Sequence, residues 1–170
     1  MSTPAARVGI LMGSDSDWPV MKEAADMLDR FGVGCEVRVI SAHRRPDDCA
    51  AYAQGAAGRG LQVLIGGAGG AAHLAGVLAA HTTLPVIAVP VPTAVAGGLD
   101  SLLSMVQMPP GVPVATVGIG RAGNAGLLAV QMIALGSPEL GEKLAAYKRD
   151  LAVKAEQADR KVQEARAADR

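Results

Sequence analysis

Aromatic side chains are almost missing from this chain: one Trp, two Tyr and one Phe in 170 residues. Proteins that hold single-stranded nucleic acid stack its bases on aromatic platforms in a basic groove, and here there are few aromatics and a net charge of zero. The partners expected are therefore small molecules or copies of the chain itself, not nucleic acid. Cysteine is also scarce. Cys35 and Cys49 stand at no metal-like or CxxC spacing and are expected as small buried thiols in a reducing compartment. With three histidines, no histidine–cysteine cluster and no motif of paired carboxylates, no metal site is expected. No apolar stretch escapes Gly or Pro for the length of a membrane span, and residues 1–6 lack the basic-then-apolar order of a leader. The chain is expected to be cytoplasmic.

Charge is missing from the middle of the chain. Between residues 60 and 120 the sole Asp, Glu, Lys or Arg is Asp100, whereas the segment from Glu139 onward is dense in both signs. The outer faces of surface helices are normally polar, so a stretch this bare is expected to be buried twice, in a sheet and beneath other subunits. That predicts a homo-oligomer.

Short apolar runs bounded by Gly, Ser or Pro predict strands over residues 7–12, 36–40, 62–65, 85–89 and 114–119. Helical patterns lie between them, such as 19–31 with Val20, Met21, Ala24, Ala25, Met27 and Leu28 at three-to-four spacing. Five strands, each followed by a helix, imply a five-stranded parallel sheet in a three-layer α/β/α flavodoxin-like domain, with ligand loops at the carboxyl ends of the strands. This domain is expected over 1–136. A C-terminal helical extension is expected over 137–170, with Ser137 as N-cap, Pro138 and Glu139 in the first turn, and Leu140, Leu144, Tyr147 and Leu151 on one face. Past Leu151 the pattern predicts a solvated helix with a frayed end and no catalytic part.

Two glycine runs, Gly67-Ala68-Gly69-Gly70-Ala71-Ala72 and Gly118-Ile119-Gly120-Arg121-Ala122-Gly123, have dinucleotide-fingerprint spacing. That fingerprint needs an acid about 20 residues later, and the next acids are Asp100 and Glu139. Neither run completes such a site, and no cofactor is expected. Glycines at a strand-to-helix turn still allow positive φ and close backbone approach, so 67–70 is read as a backbone cradle for a carboxylated small ring. Neither a Walker lysine nor a G-x-S-x-G elbow is present.

The remaining chemistry is proton transfer. Gly13-Ser14-Asp15-Ser16-Asp17 follows the first strand and Ser41-Ala42-His43-Arg44-Arg45-Pro46 the second, so two polar loops should meet at the ligand end of the sheet. An imidazole titrates near neutral pH and can both give and take a proton, and His43 has the best position to do so. A purely structural loop histidine is the alternative. Arg44 is a candidate phosphate fork and Arg45 a solvated neighbour. Ser14, Ser16 and Asp17 either cap the first helix or accept from ribose hydroxyls. His73 reads as a packing or supporting histidine, and His81 as a helix C-cap.

GILMGSDSDW, SAHRRP, GAGGAAHLAG, LDSLLSMVQMPPGVPVATV and NAGLLA, in order across about 7–135, together resemble the class I PurE family, the N5-carboxyaminoimidazole ribonucleotide mutases of bacterial purine biosynthesis. The resemblance implies a homo-octamer of flavodoxin-like subunits and a reaction without metal, ATP or biotin. It implies His43 as general acid and then base, and Ser14, Ser16, Asp17, Ser41 and Arg44 around the substrate. It further implies Ala68, Gly69 and Gly70 as the wall that holds the migrating CO2, with His73 and Leu74 beside it. Ala75 stands where the family usually has proline, and Arg45 where it usually has threonine. The loop 120–124 is shorter than in some members. The animal-type carboxylase reads SAHKGP at the histidine loop, so Arg44 and Arg45 favour the mutase. The competing classes are that carboxylase, a phosphoribosyl-binding protein without turnover, and a dinucleotide oxidoreductase.

Overall fold

The computed structural model describes residues 5–169; residues 1–4, part of the segment read for a leader, and Arg170 lie outside them. The apolar runs form β1 (Ala6–Met12), β2 (Gly34–Val39), β3 (Val63–Ala68), β4 (Val86–Pro90) and β5 (Ala115–Thr116). They pair in the order β2-β1-β3-β4-β5, every pair parallel. This is the flavodoxin-like order, whose switch point lies between β1 and β3. β3 and β4 are buried at every residue, as strands covered on both faces must be.

Among the described residues the α-helices are α1 (Trp18–Phe31), α2 (Pro46–Ala56), α3 (Leu74–Ala80), α4 (Leu99–Val106), α5 (Ala122–Ala134) and α6 (Pro138–Ala168). Two consecutive glycines of β3 reveal the layers, because successive strand side chains point to opposite faces. A Cβ on Gly66 would press on Ala75 of α3, 3.1 Å from its Cα, while one on Gly67 would collide with the Met21 thioether of α1. Thus α1 and α3 cover opposite faces. On the α3 side, Cys49, Tyr52 and Ala53 of α2 and Met105 of α4 share one core with Leu11, Leu64 and Ala88. On the α1 side, a Cβ on Gly126 of α5 would stand 2.6 Å from the Ala24 carbonyl oxygen, so these two helices cross at backbone distance.

The expected fold class holds, with local differences. β3 runs on through Gly67 and Ala68, placing half of the expected glycine cradle inside the sheet. β5 spans two residues instead of 114–119. The Val117 N–H still reaches the Ala88 carbonyl (3.0 Å) and the Gly120 N–H the Pro90 carbonyl (2.9 Å). The segment stays beside β4 but leaves strand geometry, Gly120 taking φ +68°.

By compactness the chain divides after Ile133 into two units. The second consists chiefly of α6. Ser137 is extended and precedes its first turn, as an N-cap does, but its hydroxyl makes no capping bond. From Lys148 on every described residue is exposed, and the helix continues without a break to Ala168.

Candidate active site

Three loops leave the carboxyl ends of β1, β2 and β3 side by side. The first, 13–17, is a capping box around a single 3-10 turn. The Ser14 N–H donates to Asp17 Oδ2 (3.2 Å), and the Ser14 hydroxyl oxygen accepts from the Ser16 N–H (3.3 Å). The Asp17 carboxylate thus closes the 3-10 turn, and although Asp17 stands at the N-cap of α1 its side chain makes no capping bond to that helix. Burial holds its carboxyl above the ordinary range, opposed by the N–H groups of Ser14 and Gly13. The Gly13 N–H donates to the Gly67 carbonyl (3.3 Å) and ties this loop to β3.

The second loop turns at once. The Arg45 N–H bonds to the Ser41 carbonyl (2.8 Å) and the Arg44 N–H to the Ser41 hydroxyl (3.3 Å). Arg44 then crosses to the first loop, where its Nη2 donates to the Gly13 carbonyl (2.8 Å). Arg45 pairs with Asp48 one helical turn on, Nε to Oδ2 at 2.6 Å, which makes it the solvated neighbour expected.

The third loop brings in a partner for His43. Gly70 (φ +68°) and Ala72 (φ +48°) are both left-handed, and together they turn the chain so that His73 stands at the N-cap of α3. There His73 Nδ1 lies 2.7 Å from His43 Nε2, with the rings edge to face. One of these nitrogens must donate and the other accept, so a single proton lies between the rings.

A pocket of about 350 Å³ opens between the loops, lined by Gly13, Ser14, Asp17, Ser41, Ala42, His43, Arg44, Ala68, Gly69, Ala72, His73 and Leu74. A second hollow of about 340 Å³ shares Gly13, Ser14, Ser41 and Arg44 with it, so Arg44 stands where the two meet. Of the residues expected around a ligand, Ser16 and Gly70 are not in the lining. The Ser16 hydroxyl turns to that of Ser14 (2.9 Å), and the Gly70 N–H donates to the Ser101 hydroxyl (2.9 Å). Gly13, Ala42 and Ala72 line the pocket without having been singled out. Position next to a strand end would have found the first two, while nothing in an alanine-rich run marks Ala72 as left-handed. His81 ends α3 as expected, through its backbone N–H on the Leu78 carbonyl (3.0 Å). No helix among the described residues is long and apolar enough to cross a membrane.

A parallel sheet in flavodoxin-like order, with a histidine pair and a glycine-rich turn at its switch point, defines a class of small-molecule α/β proteins. The AIR carboxylase family model matches residues 7–154, and the chain belongs to that family. The N5-carboxyaminoimidazole ribonucleotide mutase of Mycobacterium tuberculosis is 61% identical over 153 residues, 88% of each chain. The mutase of Pyrococcus abyssi is 59% identical over 145 residues, 85% of this chain and 83% of its own. Among solved structures, Treponema denticola PurE superposes with a TM-score of 0.81 at 29% identity, over 91% of this chain and 96% of that one.

Proposed function

We propose that this protein is an N5-carboxyaminoimidazole ribonucleotide mutase of de novo purine biosynthesis, moving a carboxylate from the exocyclic nitrogen to C4 of the imidazole ring. The observation that carries the reading is the His43–His73 contact of 2.7 Å in the wall of a pocket whose other walls are Ser14 and Asp17 on one side and Ala68 and Gly69 on another. The relatives at 59–61% identity carry this activity in their names.

The substrate's nitrogen displaces His73 as the partner of His43. The His43 imidazolium gives its proton to that nitrogen while the N–C bond breaks, leaving aminoimidazole ribonucleotide and CO2. The ring's enamine-like C4 attacks the CO2, and the now neutral imidazole removes the C4 proton, returning to the imidazolium. Product is an isomer of substrate, and no proton or electron is left over. One group serves both steps because an imidazole nitrogen that has given its proton becomes an acceptor for the next one. His73 holds the imidazole in register between turnovers. Arg44 takes the phosphate in the hollow it borders, beside Ser14 and Ser41, while Asp17 accepts from the ribose hydroxyls and Ser16 supports Ser14 through its hydroxyl. Ala68, Gly69 and Gly70, with Leu74 beside them, keep the CO2 close to the ring and away from water, so that recapture outruns escape.

The reaction takes no metal, ATP or biotin. The enzyme works in the cytoplasm as a homo-oligomer, an octamer, built from a catalytic domain over 1–136. Residues 137–170 are an arm without catalytic part. The test is turnover of freshly made N5-carboxyaminoimidazole ribonucleotide, in parallel with aminoimidazole ribonucleotide plus bicarbonate. Product from the first alone is expected. Product from the second alone makes the enzyme a carboxylase, and silence in both leaves a binding protein.

A further inference from the structure

The glycine turn of the pocket is held from behind. Ser101, on α4, is fully buried, 0% exposed. Its hydroxyl has a single proton, and the geometry assigns it: the hydroxyl donates to the Val91 carbonyl (2.9 Å) and accepts the Gly70 N–H (2.9 Å). Asp100 Oδ1 lies farther off, at 3.5 Å, and already accepts from the Thr93 hydroxyl at 2.7 Å. The segment after β4 packs on the same turn at two more points. The Val91 N–H bonds to the Ala68 carbonyl (2.9 Å), and the Thr93 methyl would lie 3.2 Å from a Cβ on Gly69.

Ser101 therefore sits behind the middle of a loop whose first half, Ala68 and Gly69, walls the pocket and whose last residue, His73, meets His43. Packing alone does not call for a hydroxyl there, since alanine would fill much of the same space. What only the hydroxyl supplies is an acceptor for the Gly70 N–H in a water-free position, at a residue already in left-handed backbone. With that N–H unpaired, the turn can rotate toward solvent and carry Gly69 with it.

We propose that Ser101 is a positioning residue for the carboxylate transfer. Its bond to the Gly70 N–H sets the turn that confines CO2, and so sets the ratio of recapture at C4 to escape. This rests on the mutase reading above. A role in folding alone would lower the fraction of active enzyme without changing that ratio.

The experiment compares the intact wild-type chain with Ser101→Ala. It follows the C4 carboxylate by absorbance and free aminoimidazole ribonucleotide plus CO2 by trapping, with non-enzymatic breakdown subtracted. For Ser101→Ala we expect KM within about twofold of wild type, kcat lower by about ten- to a hundredfold, and several-fold more CO2 released per product formed. An unchanged ratio overturns the inference, whether or not kcat falls. Should the alanine variant not fold, the same measurement is made on Ser101→Cys, whose thiol is a weaker acceptor of similar shape; more CO2 released per product than wild type supports the proposal and a wild-type value overturns it. A wild type that makes no C4 carboxylate at all overturns the mutase reading itself, which separates the two failures.

Discussion

His43 and His73 share one hydrogen bond, so each fixes where the other's ring can lie. Replacing His43 by Asn removes the imidazole nitrogen that would carry the proton while keeping a polar side chain. Turnover should fall by roughly 10²–10⁴-fold, the usual contribution of a positioned acid–base, while calorimetric affinity for the product stays within a few-fold. A matching loss of affinity would make His43 a binding group only. Arg44 joins the two loops through the Gly13 carbonyl and borders both hollows. For Arg44→Ala, steady-state kinetics should show KM raised by roughly tenfold or more with kcat little changed, as for a lost charge-assisted bond to phosphate; a collapsed turnover at unchanged KM would contradict the phosphate assignment. His43 and Arg44 were legible because a polar loop directly after a strand points to the ligand end of a parallel sheet. The pairing with His73 was not, since it depends on two left-handed residues that set where α3 begins. Ser101 left only a faint trace, a serine one helical turn from Met105 on the buried stripe of α4.

Among the elements, two contacts carry predictions. The crossing of α1 and α5 leaves no room at Gly126 for a methyl against the Ala24 carbonyl. Gly126→Ala should cost about 1–3 kcal/mol in urea unfolding, the range for overpacking a closed interface; a neutral or stabilising result would mean the helices part easily. At the sheet edge, Glu36 of β2 accepts from the Tyr52 hydroxyl (2.6 Å) and the Arg59 guanidinium (3.1 Å). Burial pushes its carboxyl up, but these bonds outweigh that and hold it below its ordinary 4.5. A carboxyl depressed in the folded state contributes stability above its unfolded value and loses it as pH falls through the folded one. Denaturant midpoints for Glu36→Gln should accordingly decline less steeply on the acid side of pH 4.5 than those of the wild type. Equal slopes would rule Glu36 out as an acid-sensitive latch. Burial and the same carboxylate hold the Tyr52 hydroxyl above its ordinary value.

For the molecule as a whole, the face of α4 opposite Ser101 and Met105 is the telling surface. Leu99, Leu103 and Val106 recur there at helical spacing, 44%, 47% and 52% exposed, within the stretch that holds Asp100 as its sole charged residue. Contiguous apolar surface of this kind marks interaction sites, and here the expected occupant is another copy of the chain. Leu103→Glu would bury a carboxylate in that interface, so light scattering should report a smaller species than the wild type. An unchanged mass would take this face out of the assembly.

By its order of residues alone the chain determined its class. Short β-branched runs alternating with helical periodicity allow few solutions besides a parallel sheet covered on both faces, and the polar loops after the first two strands mark its ligand end. Those signals are local, carried by neighbours in sequence. Tertiary structure decided what depends on distant residues meeting: that His43 finds His73, that Arg44 reaches Gly13, that Gly70 hangs on Ser101, and that the last strand shrinks to two residues. Each is a contact between segments roughly thirty residues apart or a matter of backbone hand, and neither leaves a periodic mark in the sequence.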